Sequence, residues 1–229
     1  MSAFGRFVAF GLIVAAGSAS AAATCEEAAA EAERSFGLPP GLLTAIGRVE
    51  SGRLDPATRR VVAWPWTIDV AGDGRMFNNA AEAIRTTEAL RTGGARNIDV
   101  GCFQVSLLYH PNAFATMAEA FDPTTNGRYA GQFLASLKAR LGNWTDAVAA
   151  YHSADPAQGK PYQEKVFASW HGTLPPEAEV SAKFGLTELA FGIKLWTPSQ
   201  PGTAASVIHI GEGEAPAAWK MPRVTSPGR

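Results

Sequence analysis

The sequence has little cysteine, little histidine and almost no net charge, and each shortage narrows what the chain can be. Two cysteines occur in 229 residues, Cys25 and Cys102, and four histidines, His110, His152, His171 and His209. None of the six shows metal-ligand spacing with another, so no metal site is expected. The formal net charge of −1 offers no electrostatic footprint for nucleic acid or for an anionic membrane surface. Long apolar runs are also missing. The one near the start, residues 7–16, is too short to cross a bilayer, so no stable membrane insertion is expected. No Gly-x-Ser-x-Gly elbow occurs, which argues against a Ser-His-Asp hydrolase. No cofactor motif is present, and none is expected to be needed.

What remains fits an exported globular domain. Hydrophobic residues make up 46% of the chain and charged residues 18%, enough apolar surface for a core. Arg6, the apolar residues 7–16 and the small residues 18–23 read together as a secretory signal peptide over residues 1–23. Cys25 is preceded by Ala22-Ala23-Thr24, which lacks a lipoprotein leucine, so a soluble periplasmic protein is expected. In an oxidising compartment Cys25 and Cys102 read first as a disulfide, with two buried free thiols as the alternative.

Helical pattern dominates the next 150 residues. Residues 26–35 are rich in Ala and Glu, with acids at the front where the helix dipole favours them. Gly37 and the two prolines after it end that helix, and a second one follows to Ser51. A loop carrying Asp55-Pro56 leads to a strand over residues 64–70 and a return strand over 75–77, separated by Gly72-Asp73-Gly74. Asn79 caps a helix over 80–92, which Gly93-Gly94 stops. Residues 97–104 read as a loop with a strand-like start. Helical pieces are expected at 107–109 and 113–120, then a long helix after Asp122-Pro123 to about 141, then helices over 144–151 and 162–170. From residue 173 to 229 the texture is Pro-, Gly- and Ala-rich and aperiodic, a poorly ordered tail by composition. The fold class is mainly α (α+β): a helical domain over residues 25–172 with a small β hairpin.

One carboxylate is out of place in this pattern. Leu42, Leu43, Ile46 and Val49 mark the apolar face of the second helix, and Glu50 projects inside that stripe rather than opposite it. A carboxylate so placed must pair, face a cleft or stay protonated, because desolvation disfavours its charge. Held neutral, it has the property that a general acid needs. The plainer alternative is a helix-end Glu that reaches water or meets Arg48 or Arg53.

Three short blocks stand in order along the chain: Val49-Glu50-Ser51, Gly101-Cys102-Phe103-Gln104 and Ala150-Tyr151-His152-Ser153. Together they resemble the Glu-Ser, Gly-Leu-Met-Gln and Ala-Tyr-Asn motifs of the family 1 lytic transglycosylases, whose fold is similar to goose-type lysozyme. The likeness extends through Asp122-Pro123-Thr124-Thr125-Asn126 and Gly142-Asn143-Trp144, and covers about residues 36–170. Two positions depart from the pattern. Cys102 replaces an aliphatic residue, as a disulfide would explain, and His152 replaces the asparagine. The insertion at 64–77 and the Asp99-Val100-Gly101 form of the second motif resemble the compact enzymes attached to secretion, conjugation or flagellar assemblies.

The resemblance implies peptidoglycan glycan strands as substrate and cleavage of the β-1,4 bond between N-acetylmuramic acid and N-acetylglucosamine. It implies Glu50 as the single catalytic acid and base, with a 1,6-anhydromuramyl product. Tyr151 would orient or hydrogen-bond Glu50. Ser51, Gly101, Phe103, Gln104 and His152 would bind substrate or support the site, Gly101 by close backbone approach to a sugar. Asp99 is the best second carboxylate, and activation of water by it would make a hydrolytic muramidase instead. A non-catalytic peptidoglycan-binding assembly protein is the remaining alternative. Trp64, Trp66 and Tyr109 are candidates to stack on sugar rings or to fill the core.

Overall fold

Thr24 opens the first helix by a reciprocal cap: its hydroxyl accepts from the Glu27 amide, and the Glu27 carboxylate accepts from the Thr24 amide. The computed structural model describes residues 23–173. The expected signal peptide (1–23) and tail (173–229) lie outside the described residues except for their inner ends. Helix α1 (Cys25–Phe36) ends at Gly37, and α2 (Leu42–Ser51) begins without a capping side chain of its own. The cap comes instead from α1. The buried Glu33 carboxylate accepts from the backbone amides of Gly41 at 2.7 Å, Leu43 at 2.9 Å and Thr44 at 3.1 Å. These are donors that a helix start leaves unsatisfied.

Two antiparallel sheets follow. β1 (Gly52–Asp55) and β2 (Arg60–Ala63) form a hairpin, and β3 (Thr67–Val70), β4 (Asp73–Met76), β5 (Ile98–Val100) and β6 (Val105–Ser106) form a sheet in the order β4-β3-β5-β6. The β part is therefore larger than one hairpin. The segment expected to be a loop at 97–104 supplies β5 and the tight turn into β6. Helix α3 (Ala80–Thr92) lies between β4 and β5 in the chain and is capped by Asn79. Residues 107–109 are turns rather than helix, and the short helix α4 (Met117–Phe121) occupies only the end of the expected 113–120 segment.

Helices α5 (Pro123–Leu141), α6 (Trp144–His152) and α7 (Pro156–Trp170) complete the domain, each capped by an Asp or Asn side chain at its start. Helix α7 begins six residues before the expected 162, because Asp155-Pro156 caps it and Pro161 is tolerated within its first two turns. A seam of small residues lets α1 and α5 approach closely. Side chains built at Gly127 and Gly131 of α5 would lie 3.2 and 2.9 Å from the β-carbons of Ala28 and Ala32. The main core gathers Leu42, Leu43, Ile46, Phe103, Leu134, Val148 and Val166 from α2, α5, α6, α7 and the 101–104 turn. A second core joins the β3–β5 face to α3 and α4 through Ile68, Ala83, Ile98, Val100 and Phe121.

Candidate active site

Glu50 stands in the last turn of α2, at the junction of the helical core and the sheet. It lines a cavity of about 150 Å³ walled by β5, β6, α5 and α6, together with Asp99, Gln104, Ser106, Tyr151 and His152. The Tyr162 hydroxyl of α7 donates to Glu50 Oε1 at 2.6 Å. Burial pushes the Glu50 carboxyl up to about 8, the Tyr162 hydrogen bond opposes that rise, and the charges of Asp99 and then Asp69 add to it. Burial and the Glu50 charge together hold the Tyr162 phenol well above its ordinary range, so it stays a donor. With Oε1 occupied by that donor, the proton of a neutral Glu50 is directed to Oε2.

A row of polar side chains crosses the sheet beside Glu50. Asp69 on β3 faces Asp99 on β5, and Asp99 faces Ser106 on β6. Burial raises the Asp99 carboxyl to about 6. The neighbouring Ser106 hydroxyl opposes the rise, and the like charge of Asp69 adds to it. On β3, Asp69 projects to the face opposite the buried Ile68. Only the pairing of β3 with β5 brings it next to Asp99.

Tyr151 lies on the cavity wall, but its hydroxyl donates to the Phe103 carbonyl at 2.9 Å. The expected hydrogen bond to Glu50 comes from Tyr162 instead. Sequence reasoning had put Tyr162 only at the start of a helix, with no motif around it to mark it. Ser51 is buried and fully engaged: its hydroxyl donates to the carbonyls of Cys102 at 2.7 Å and Gly47 at 3.2 Å and accepts from the Trp64 amide. It joins α2 to the 101–104 turn and leaves no group for substrate. Phe103 is wholly buried in the main core and contributes only its backbone near the site. Gly101 has φ +82°, and a β-carbon there would run into the Asn126 side chain and sit 2.8 Å from the Ala120 carbonyl. Within the domain, the close approach that needs glycine is to Asn126 and Ala120.

Gln104 keeps its place on the cavity wall. It adopts φ +45°, and its amide donates to the carbonyls of Gly101 at 2.9 Å and Thr67 at 3.1 Å. His152 also lines the cavity, where its ring stacks on Tyr162 with centroids 4.7 Å apart and planes 11° from parallel. Desolvation first, and then the charge of Lys165, hold its imidazole below the ordinary value, so it is neutral at pH 7. Trp64 is packed rather than offered to a ligand. Arg53 lies 3.3 Å over its ring, Trp66 meets it edge-on, and its indole N–H donates to the Phe77 carbonyl. Tyr109 is exposed beside the cavity.

The 101–104 turn is held from several sides. A disulfide joins Cys102 to Cys25 at the start of α1, with an S–S distance of 2.10 Å and a sequence separation of 77. Asn126 of α5, fully buried, accepts from the Phe103 amide at 3.0 Å and donates to the carbonyls of Val100 and Ala120. A fully buried asparagine inside a helix is costly unless every group is used, and here each one is. Among the described residues no group of three or more His, Cys, Asp or Glu side chains is placed to hold a metal ion.

Against this geometry, the family model described as the transglycosylase SLT domain matches residues 27–167. No curated protein and no solved structure matches the chain.

Proposed function

The chain belongs to the transglycosylase SLT domain family, and from that premise we propose that it is an exported peptidoglycan lytic transglycosylase with Glu50 as its catalytic acid and base. In this reading Glu50 donates its Oε2 proton to the glycosidic oxygen as the bond from muramyl C1 breaks. The N-acetyl oxygen of the muramic acid closes on C1 and holds it. The C6 hydroxyl oxygen then attacks C1, the N-acetyl oxygen leaves, and the hydroxyl proton returns to the Glu50 carboxylate. No water is consumed, and the product ends in 1,6-anhydromuramic acid.

The observation that carries this reading is the setting of Glu50: on a cavity wall, raised to about 8 by burial, with one oxygen held by Tyr162. Such a carboxyl is protonated at pH 7 yet accepts a proton back at modest cost, as one residue serving in both steps requires. The sequence features of export support a periplasmic location, and the compact motif pattern supports work beside a secretion, conjugation or flagellar assembly. Digestion of isolated sacculi followed by mass spectrometry of the muropeptides tests the reaction. Anhydromuramyl ends are expected, with Glu50→Gln inactive by at least about 10²–10³-fold and its fold intact. A Gln variant that lyses sacculi at near the wild-type rate would sink the mechanism.

Asp99 favours one alternative, since it shares the cavity and is ionised at pH 7. If it activates water, the ends carry reducing muramic acid and Asp99→Asn loses most of the rate. An intact protein that binds sacculi without cleaving them would be a non-catalytic assembly factor.

A further inference from the structure

His152 is the last residue of α6 and Tyr162 lies in the second turn of α7, with only residues 153–155 between the two helices. Gly159 sets how near the helices come. A side chain built there would stand 2.8 Å from the carbonyls of Ala149 and Ser153, so glycine is what lets α7 lie this close to the end of α6. The result is a face-to-face stack, with the His152 and Tyr162 centroids 4.7 Å apart and the planes 11° from parallel. Tyr162 is only 6% exposed whereas His152 is exposed, so the imidazole is the outer layer and the phenol the inner one.

The inner ring is the one that meets Glu50, through the 2.6 Å hydrogen bond to Oε1. The second torsion of a tyrosine is broad, so the plane of its ring is set by what packs against its faces. His152 supplies such a face. It does so without a charge that would draw the proton off Glu50: desolvation, and then the Lys165 charge three residues beyond Tyr162, keep the imidazole neutral at pH 7. A cation at this place would favour the Glu50 carboxylate instead. Position 152 is also where the chain departs from the Ala-Tyr-Asn pattern, and an asparagine has no ring to stack.

We propose that His152 is a positioning residue that acts on Glu50 through Tyr162. Its ring, not its nitrogens, fixes the phenol so that the hydroxyl holds Oε1 and the proton of Glu50 stays on Oε2. The proposal rests on the glycan-cleaving reading above and adds to it a layer behind the Glu50 carboxyl.

A double-mutant cycle in the full chain, read as the rate of muropeptide release from sacculi, tests the route through Tyr162. His152→Ala and Tyr162→Phe are each expected to lower the rate about tenfold, and the pair together about tenfold rather than a hundredfold. His152→Phe, which keeps a ring without nitrogens, should recover to within about threefold of the wild type. His152→Gln, which keeps polarity without a ring, should stay with His152→Ala. Losses that multiply to about a hundredfold overturn the proposal. So does an unchanged rate in His152→Ala, or recovery by Gln and not by Phe. Should His152→Ala lose its fold by circular dichroism, His152→Gln carries the cycle. Proton NMR reads the same contact without turnover. The Tyr162 hydroxyl should give a slowly exchanging downfield resonance that Tyr162→Phe lacks, that His152→Phe keeps and that the Ala and Gln variants lose. A wild type without that resonance, or a resonance that persists in His152→Ala, overturns the positioning role. The expected resonances in a wild type that does not cleave sacculi would remove the enzyme and leave the positioning of Tyr162 on Glu50.

Discussion

Two opposed influences meet at Glu50: burial and the charges of Asp99 and Asp69 favour its protonated form, while the Tyr162 hydroxyl favours the carboxylate. Removing either side moves the proton equilibrium in a known direction. Tyr162→Phe should raise the Glu50 pKa further, shift the alkaline limb of the pH–rate profile upward from about 8, and cost about tenfold in rate through lost orientation. Asp99→Asn should shift the same limb downward, because a repelling charge is gone. Tyr151→Phe should leave the limb where it is, since that hydroxyl serves the Phe103 carbonyl. The stability of the protein carries the same signature. A carboxyl whose folded pKa lies above its unfolded value of 4.5 binds more protons in the folded state, so its favourable contribution is complete below 4.5 and lost as pH rises through about 8. Thermal melts should therefore show Glu50→Gln gaining on the wild type across pH 4.5–8 and running parallel to it outside that window; a constant difference across the window would refute the raised pKa. Glu50 was legible in the sequence because a carboxylate on an apolar helical stripe breaks a local pattern. Tyr162 was not, because a tyrosine near a helix start breaks none, and its partner lies 112 residues away.

At the scale of elements, the site depends on the turn between β5 and β6, and that turn has few interactions of its own. It is fixed by the Ser51 and Tyr151 hydroxyls donating to its carbonyls, by Asn126 holding both its entry and its Phe103 amide, and by the disulfide to α1. Asn126→Ala removes three buried hydrogen bonds and should cost about 3 kcal/mol in chemical denaturation. It should also lower activity more than that loss implies, because Gln104 and the Asp99 strand lose their register. Replacing both cysteines by alanine opens a loop of 77 residues and should cost about 4 kcal/mol in the chain-entropy model. Thiol titration of exported protein should find no free thiol. Most helices were readable because their starts are written locally: Thr24, Asn79, Asp122 and Asn143 each accept from a backbone amide within three residues. Asp155 does the same for α7, yet that start was expected six residues later, because Pro161 reads as a break. The β3–β4 hairpin was readable too, from its alternation and the Gly72-Asp73-Gly74 turn. The other hairpin was not: β1 and β2 are four residues each, partly exposed, and joined through a proline-containing turn, so neither periodicity nor burial marks them. The cap of α2 was equally hidden, since Glu33 reaches it from another helix.

For the whole molecule, the question is how much of the chain the domain needs. Both described cores are closed by residues between Cys25 and Trp170, and the family model ends at residue 167. The last helix is tied back to the start of the domain: the Trp170 indole N–H donates to the Pro40 carbonyl at 2.9 Å, just ahead of the α2 helix that carries Glu50. Tyr162, three residues after the buried Gly159, places the other contact of α7 on Glu50 itself. Helix α7 therefore belongs to the site, and a boundary drawn before it would remove the group that holds the Glu50 carboxyl. A chain ending at Thr173 retains all of these contacts. It should melt within a few degrees of the full chain and digest purified sacculi at a comparable rate. A chain ending at Ala157 should lose both fold and activity, because Tyr162 and Val166 leave the main core with it. If the chain ending at Thr173 is instead unfolded or inert, residues beyond 173 complete the catalytic domain, and the domain boundary moves toward the C-terminus. If it is active on purified sacculi but fails to support wall remodelling in cells, those residues serve docking to an assembly rather than catalysis.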